Sequence, residues 1–129
     1  MYKKIFEKFK SAGSIVLLPH ENIDGDALSS CLALKYFIEK AGGNAMIVAD
    51  GEIPSNLSFL GNDYVLYSDD IKLPEFDTAV AVDCASMDRF KKRAHIFKNA
   101  ETKIVIDHHK TNSGFGDYSI VLPESASTC

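Results

Sequence analysis

The sequence predicts an α/β fold: a doubly wound, mainly parallel sheet of five or six strands with helices on both faces. Three observations point there. Short apolar runs without polar alternation recur along the chain, the pattern of strands buried on both faces. Helix-length stretches separate most of them, which is the spacing of right-handed βαβ units. Histidines and acids follow three of these runs, at the strand ends where an open α/β sheet places its ligands.

The elements follow in order. Tyr2, Ile5, Phe6 and Phe9 mark one face of an opening helix. Ser14 to Leu18 is apolar throughout and reads as a buried strand. Ala27 to Ala41 reads as a helix whose broad apolar face carries Leu28, Cys31, Leu32, Leu34, Tyr36 and Ile38, stopped by Gly42-Gly43. Ala45 to Ala49 is a second strand, and Asp50-Gly51 turns into a short helical segment around Leu57, Phe59 and Leu60. Tyr64 to Tyr67 is a short strand near an edge, and Leu73 to Asp77 is loop. Thr78 to Val82 is the third strong strand. Ser86 can cap a helix through Arg89, Phe90, Ala94, Ile96 and Phe97, with Lys91, Lys92 and Arg93 on its exposed face. Ile104 to Ile106 is the fourth strong strand and Tyr118 to Leu122 a fifth. Pro123 to Cys129 reads as a loop reaching a helix N-cap at Ser127 or Thr128, as if cut before a further element.

The 129 residues fit one domain with a real core. A formal charge of −4 argues against a broad basic surface for long duplex nucleic acid, yet permits a short phosphorylated ligand held by metals. Cys31, Cys84 and Cys129 show no metal-finger spacing, and Cys31 and Cys84 read as small buried apolar residues of a reducing compartment. With neither a secretory signal nor a membrane-length apolar run, the expected location is the cytoplasm, away from the membrane. A homodimer stays open.

His20, Asp24 and Asp26 follow the first strand, Asp83 the third, and Asp107-His108-His109 the fourth. Gly25 between the first two carboxylates is expected to let the backbone turn tightly. Singly, each has a duller explanation: Asp-Gly-Asp favours turns, Asp83 could cap a helix, and a lone histidine is more often a satisfied partly buried side chain. Together they describe a site for divalent cations. Clustered carboxylates need positive compensation, and oxygen-rich ligation with imidazole suits Mn²⁺, Mg²⁺ or Co²⁺ better than a thiolate zinc site. Asp83 is the natural bridge between two ions. His95, in a Lys- and Arg-rich helix pattern, reads as surface.

The set His20-Glu21-Asn22-Ile23-Asp24-Gly25-Asp26, then Val82-Asp83, then Asp107-His108-His109, resembles the DHH phosphoesterase superfamily. Lys110 to Asp117, with Ala126-Ser127-Thr128 beyond, is similar to the branch of bacterial oligoribonucleases and bisphosphate-nucleotide phosphatases. Ile23 stands where many members carry proline, and Ser29 where many carry glycine. The resemblance implies that residues 1–129 are the amino-terminal catalytic domain, truncated at its end and lacking the linker, the second substrate-binding domain and one further metal-binding aspartate. It implies His20, Asp24 and Asp83 around one ion, and Asp26, Asp83 and His108 around another, with Mn²⁺ expected first. Asp107 would orient its neighbours, His109 would meet a phosphate oxygen, and Arg89 either contacts phosphate or is solvated.

The expected activity is metal-dependent hydrolysis of phosphodiester or phosphomonoester bonds in short nucleotides: oligoribonucleotides, dinucleotides or 3′,5′-bisphosphate nucleotides. Water activated by two metals would be the nucleophile. Pyrophosphate hydrolysis within the same superfamily is the first alternative, and a non-catalytic nucleotide-binding fragment the second. A phospho-accepting receiver domain, with Asp83 as acceptor and Lys110 as its partner, leaves His20 and His108 without a task. A dinucleotide-binding oxidoreductase lacks its GxGxxG signature.

Overall fold

The structure, a computed structural model, describes residues 1–129. Six strands form one sheet: β1 (Ile15–Pro19), β2 (Ala45–Ala49), β3 (Val65–Leu66), β4 (Thr78–Val82), β5 (Thr102–Asp107) and β6 (Tyr118–Val121). Their order is β3-β2-β1-β4-β5-β6 and every pairing is parallel. Both central strands, β1 and β4, are buried at every position, which is why their sequences show no alternation. The weak apolar signal at Val65-Leu66 corresponds to a two-residue edge strand with both residues exposed.

Residues of β1 divide between two cores according to the two-residue period of a strand. Ile15 and Leu17 face helices α1 (Tyr2–Ser11) and α2 (Gly25–Lys40), where they join Ile5, Phe9, Cys31 and Ile38. Val16 and Leu18 face the other way and join Phe90, Ile96 and Phe97, carried by a 3₁₀ segment (Met87–Arg93) and by α3 (Ala94–Asn99). Helices therefore cover both faces, as the sequence predicts. Helix α2 ends where Gly42 takes a φ of +92°, and a side chain at Gly43 would meet the Ile38 Cγ2 atom at 2.8 Å. No helix is long and apolar enough to cross a membrane.

Four local readings are corrected. The helix expected after Ser86 is broken: Lys91 takes φ +54°, ψ −126°, and only Ala94–Asn99 is α-helical. Ser86 makes no side-chain cap there. The break turns Arg93 inward, where it is fully buried instead of exposed beside Lys91 and Lys92. Its Nη1 donates to the Val48 carbonyl at 2.9 Å, and its Nε lies 3.9 Å from an Asp50 carboxylate oxygen. Lastly, Tyr2, Phe6 and Tyr36, expected on buried helix faces, are exposed, and Phe6 meets the Phe37 ring at 5.6 Å instead. A 3.6-residue period marks a face but not how much of it the sheet covers.

The chain winds outward from β1 through β2 to β3, returns to β4 beside β1, then winds outward again to β6. The boundary between β1 and β4 is thus the topological switch point, where a crevice opens beyond the carboxyl ends of the strands. Register fixes what stands there. Pro19 pairs with Val82, and Val82 pairs with Ile106. The next residues, His20 and Asp83, therefore leave the sheet side by side, level with Asp107, the last residue of β5.

Candidate metal centre

Asp83 is the middle of the crevice. Only 2% exposed, it takes φ +55°, a left-handed conformation that aspartate and asparagine tolerate better than most residues. Its two carboxylate oxygens face opposite ways. One lies 3.6 Å from His20 Nε2, and the other lies 3.4 Å from His108 Nε2. Burial pushes its pKa up; the hydroxyl of Thr128 opposes that shift, while the charges of Asp26 and Asp24 add to it.

Both histidines are held by their other ring nitrogen. His20 Nδ1–H donates to the Glu21 carbonyl. His108 Nδ1 lies 3.2 Å from the Ser125 carbonyl, to which it donates. Each ring thereby turns an Nε2 lone pair toward Asp83, the tautomer a metal ligand requires.

Asp24 serves two purposes. It is the N-cap of α2, accepting from the Ala27 amide at 2.9 Å, and the same oxygen lies 3.5 Å from His20 Nε2. Gly25 opens α2 without a positive φ, so bringing Asp24 and Asp26 to the crevice needs no glycine-only conformation. The start of the helix itself brings Asp24 and Asp26 to the crevice, and the left-handed residue of this loop is Asn22, at φ +51°. His20, Asp24 and Asp83 place ligand atoms within 4.8 Å of one another, matching the first set read from the sequence.

The second set is more crowded. His108 Nε2 lies 3.4 Å from Asp26 Oδ2 as well as from Asp83. Asp26 also accepts from the Thr128 amide at 3.0 Å, the Cys129 amide at 2.9 Å and the Ser30 hydroxyl at 3.2 Å. Burial raises its pKa, but these donors outweigh burial and hold it below the usual value. His109 also comes near Asp83, its Nδ1 at 3.9 Å, which gives a compact group of Asp83, His108 and His109. That nitrogen, however, is already committed to Asp107 Oδ1 at 2.6 Å. A carboxylate offers about four acceptor positions, so Asp26 can accept these donors and still ligate, whereas His109 Nδ1 has one proton and one partner.

Asp107 is buried and does not reach the ligand atoms of either set. Besides His109, it accepts from Asn112 Nδ2 at 2.8 Å, and Asn112 also donates to the Cys84 carbonyl at 3.1 Å. Arg89 packs on Glu21, its Nε 3.3 Å from that carboxylate, while His95 is exposed with Nδ1 2.8 Å from the Lys92 carbonyl. Cys84 is buried with its thiol pushed up to about 12 by that burial, so it is no nucleophile.

Sequence reasoning missed the supporting residues. Asn112, Ser125 and Thr128 lie in loops with no apolar period to place them. Asn112 carried a signal as a turn-forming residue just after a dense polar motif, and Thr128 as a candidate helix N-cap, but neither signal pointed to these contacts.

A family model described as DHH family, N-terminal domain, matches residues 14–129. A bifunctional oligoribonuclease and PAP phosphatase, NrnA, of Thermus thermophilus is 37% identical over 118 residues, which cover 90% of this chain and 34% of that one. A probable NrnA of Streptococcus mutans is 28% identical over 128 residues, covering 98% of this chain and 39% of the relative. A crystal structure of an exopolyphosphatase-related protein from Bacteroides fragilis superposes with a TM-score of 0.87 at 26% identity, over 98% of this chain and 39% of that one. The chain thus spans about a third of the length of the curated relatives it matches. The resemblance read from three strand-end motifs holds, and the chain belongs to the DHH family.

Proposed function

We propose that this chain forms the metal-binding half of a phosphoesterase that hydrolyses short nucleotides, with two divalent cations on either side of Asp83. The observation that carries the proposal is the division of Asp83: its two oxygens face Nε2 atoms of two different histidines. Three features of the donor set fit such ions. Both histidines present Nε2 lone pairs. The basic side chains within 4 Å of Asp24, Asp26 and Asp83 are all histidines, so the carboxylate charge lacks lysine or arginine compensation. Imidazole with carboxylate oxygen suits Mn²⁺, Mg²⁺ or Co²⁺.

His20, Asp24 and Asp83 would hold one ion; Asp83, His108 and Asp26 would hold the other. Bound ions would supply water activation and neutralise charge on a phosphoryl group. The chain's own residues do the rest. Asp107 fixes the His109 ring through Nδ1, leaving its Nε2 edge free to meet a phosphoryl oxygen. Asn112 fixes Asp107 in turn. Arg89, its Nε 3.3 Å from Glu21, would contact a phosphate of the substrate.

Short nucleotides are the favoured substrates because two relatives bear oligoribonuclease and phosphatase names. Substrate selection is assigned to the parts of those proteins that this chain does not span. The test is a Mn²⁺-supplemented panel of a dinucleotide, a 3′,5′-bisphosphate nucleotide and pyrophosphate. It is run on the chain extended by the remaining part of a relative. Hydrolysis of one or both nucleotides is expected, with no phosphorylated protein accumulating. Turnover of pyrophosphate alone contradicts the nucleotide assignment, and a stable phospho-protein contradicts the mechanism.

A further inference from the structure

Residues Ser125 to Cys129 close over the crevice, where the sequence reading offers Thr128 only as a candidate helix N-cap. Their contacts reach three of the proposed ligands. The Ser125 carbonyl accepts from His108, the Thr128 and Cys129 amides donate to the two oxygens of Asp26, and the Thr128 hydroxyl donates to Asp83 Oδ1 at 2.8 Å. These partners lie 17, 102, 103 and 45 residues away along the chain.

We propose that Thr128 is a positioning residue for the second cation site, its hydroxyl aiming Asp83 Oδ1 and its amide aiming Asp26. The inference rests on the two-cation reading above. Asp83 leaves β4 with a left-handed backbone, and its carboxylate is almost wholly buried. Its Oδ1 stands between His108 Nε2 at 3.4 Å and His109 Nδ1 at 3.9 Å. With His109 Nδ1 committed to Asp107, the Thr128 hydroxyl is the one side-chain donor at hydrogen-bond distance from that oxygen. A single O–H thus sets the direction of the oxygen facing His108, while the amide of the same residue sets Asp26 Oδ2, the other carboxylate oxygen 3.4 Å from that histidine's Nε2. The oxygen facing His20 receives no such support. Outer partners of this type govern affinity by orienting ligands they do not replace.

The test is calorimetric titration of Mn²⁺ into the chain carrying Thr128→Val, which keeps the shape and the amide but removes the hydroxyl. Thr128→Ser restores the donor. Thr128→Val is expected to weaken the second Mn²⁺ event by about 10–100-fold and leave the first within about twofold. Thr128→Ser should recover the second event. Without metal, Thr128→Ser should unfold at the midpoint of the unaltered chain, whereas Thr128→Val, without the hydroxyl that supports Asp83, should unfold somewhat lower yet stay folded at the titration temperature. Equal weakening by both variants, or none by Thr128→Val, overturns the role of the hydroxyl. Failure of the unaltered chain to bind Mn²⁺ instead overturns the two-cation reading and the role of Thr128 with it.

Discussion

Asp83→Asn should abolish hydrolysis while making the metal-free protein more stable. The loss of turnover should exceed the ~10–100-fold cost of removing a group that merely orients a ligand, because one carboxylate serves both clusters. Stability moves the other way. Burial, with the charges of Asp24 and Asp26, raises the pKa of Asp83 in the folded state. A raised folded pKa favours the neutral form, so this group's stabilisation is complete below the unfolded value near 4 and lost as pH rises through the folded value. At pH 7 the charged carboxylate is therefore a cost without cations, and asparagine removes it. Asparagine also keeps the left-handed backbone at φ +55°, where alanine would add about 1–2 kcal/mol of strain. Each kcal/mol relieved appears as roughly 4 °C in the unfolding midpoint of a domain this size. Saturating Mn²⁺ should reverse the order, since a ligand at a hundred times its Kd stabilises by ~2.7 kcal/mol and the variant has lost its bridge. Thermal scans with and without Mn²⁺ check this; a variant less stable in both conditions contradicts it.

His20→Ala and His108→Ala should each remove one Mn²⁺ per chain, and not the same one. His20 faces Asp24 and one oxygen of Asp83, whereas His108 faces Asp26 and the other oxygen. Titration stoichiometry should fall from two to one in each single variant and to zero in the double variant. The surviving event should be the tighter one in one variant and the weaker one in the other. Full occupancy in His20→Ala would show that His20 is only a buried histidine bonded to Glu21.

The parts of this molecule that were legible in the sequence share a physical cause. Strands β2 and β4 fall on the residues expected, because a strand covered on both faces must be apolar at every position. His20, Asp83 and Asp107 stand level because the register of the adjacent parallel strands aligns Pro19, Val82 and Ile106 just before them. The failures lie where a single backbone angle decides. Nothing in Met87–Arg93 signals that Lys91 turns left-handed, yet that angle takes Arg93 from the surface to the core. The left-handed residue of the loop before α2 is Asn22, which the sequence reading did not single out. Thr128 and Ser125 were unreadable as site residues because tertiary closure, and no local pattern, carries them to Asp83 and His108. His109 and Asp26 came with definite expectations. The contacts now distinguish them by what each already bonds: His109 to Asp107, Asp26 to the closing segment.

Anomalous scattering from a crystal soaked in Mn²⁺ bears most directly on the central proposition that Asp83 joins two cations. Two peaks are expected, ~3.5–4 Å apart, one between Asp83 and His20 and the other between Asp83 and His108. A single peak, or peaks that leave either histidine Nε2 without a metal, would contradict it.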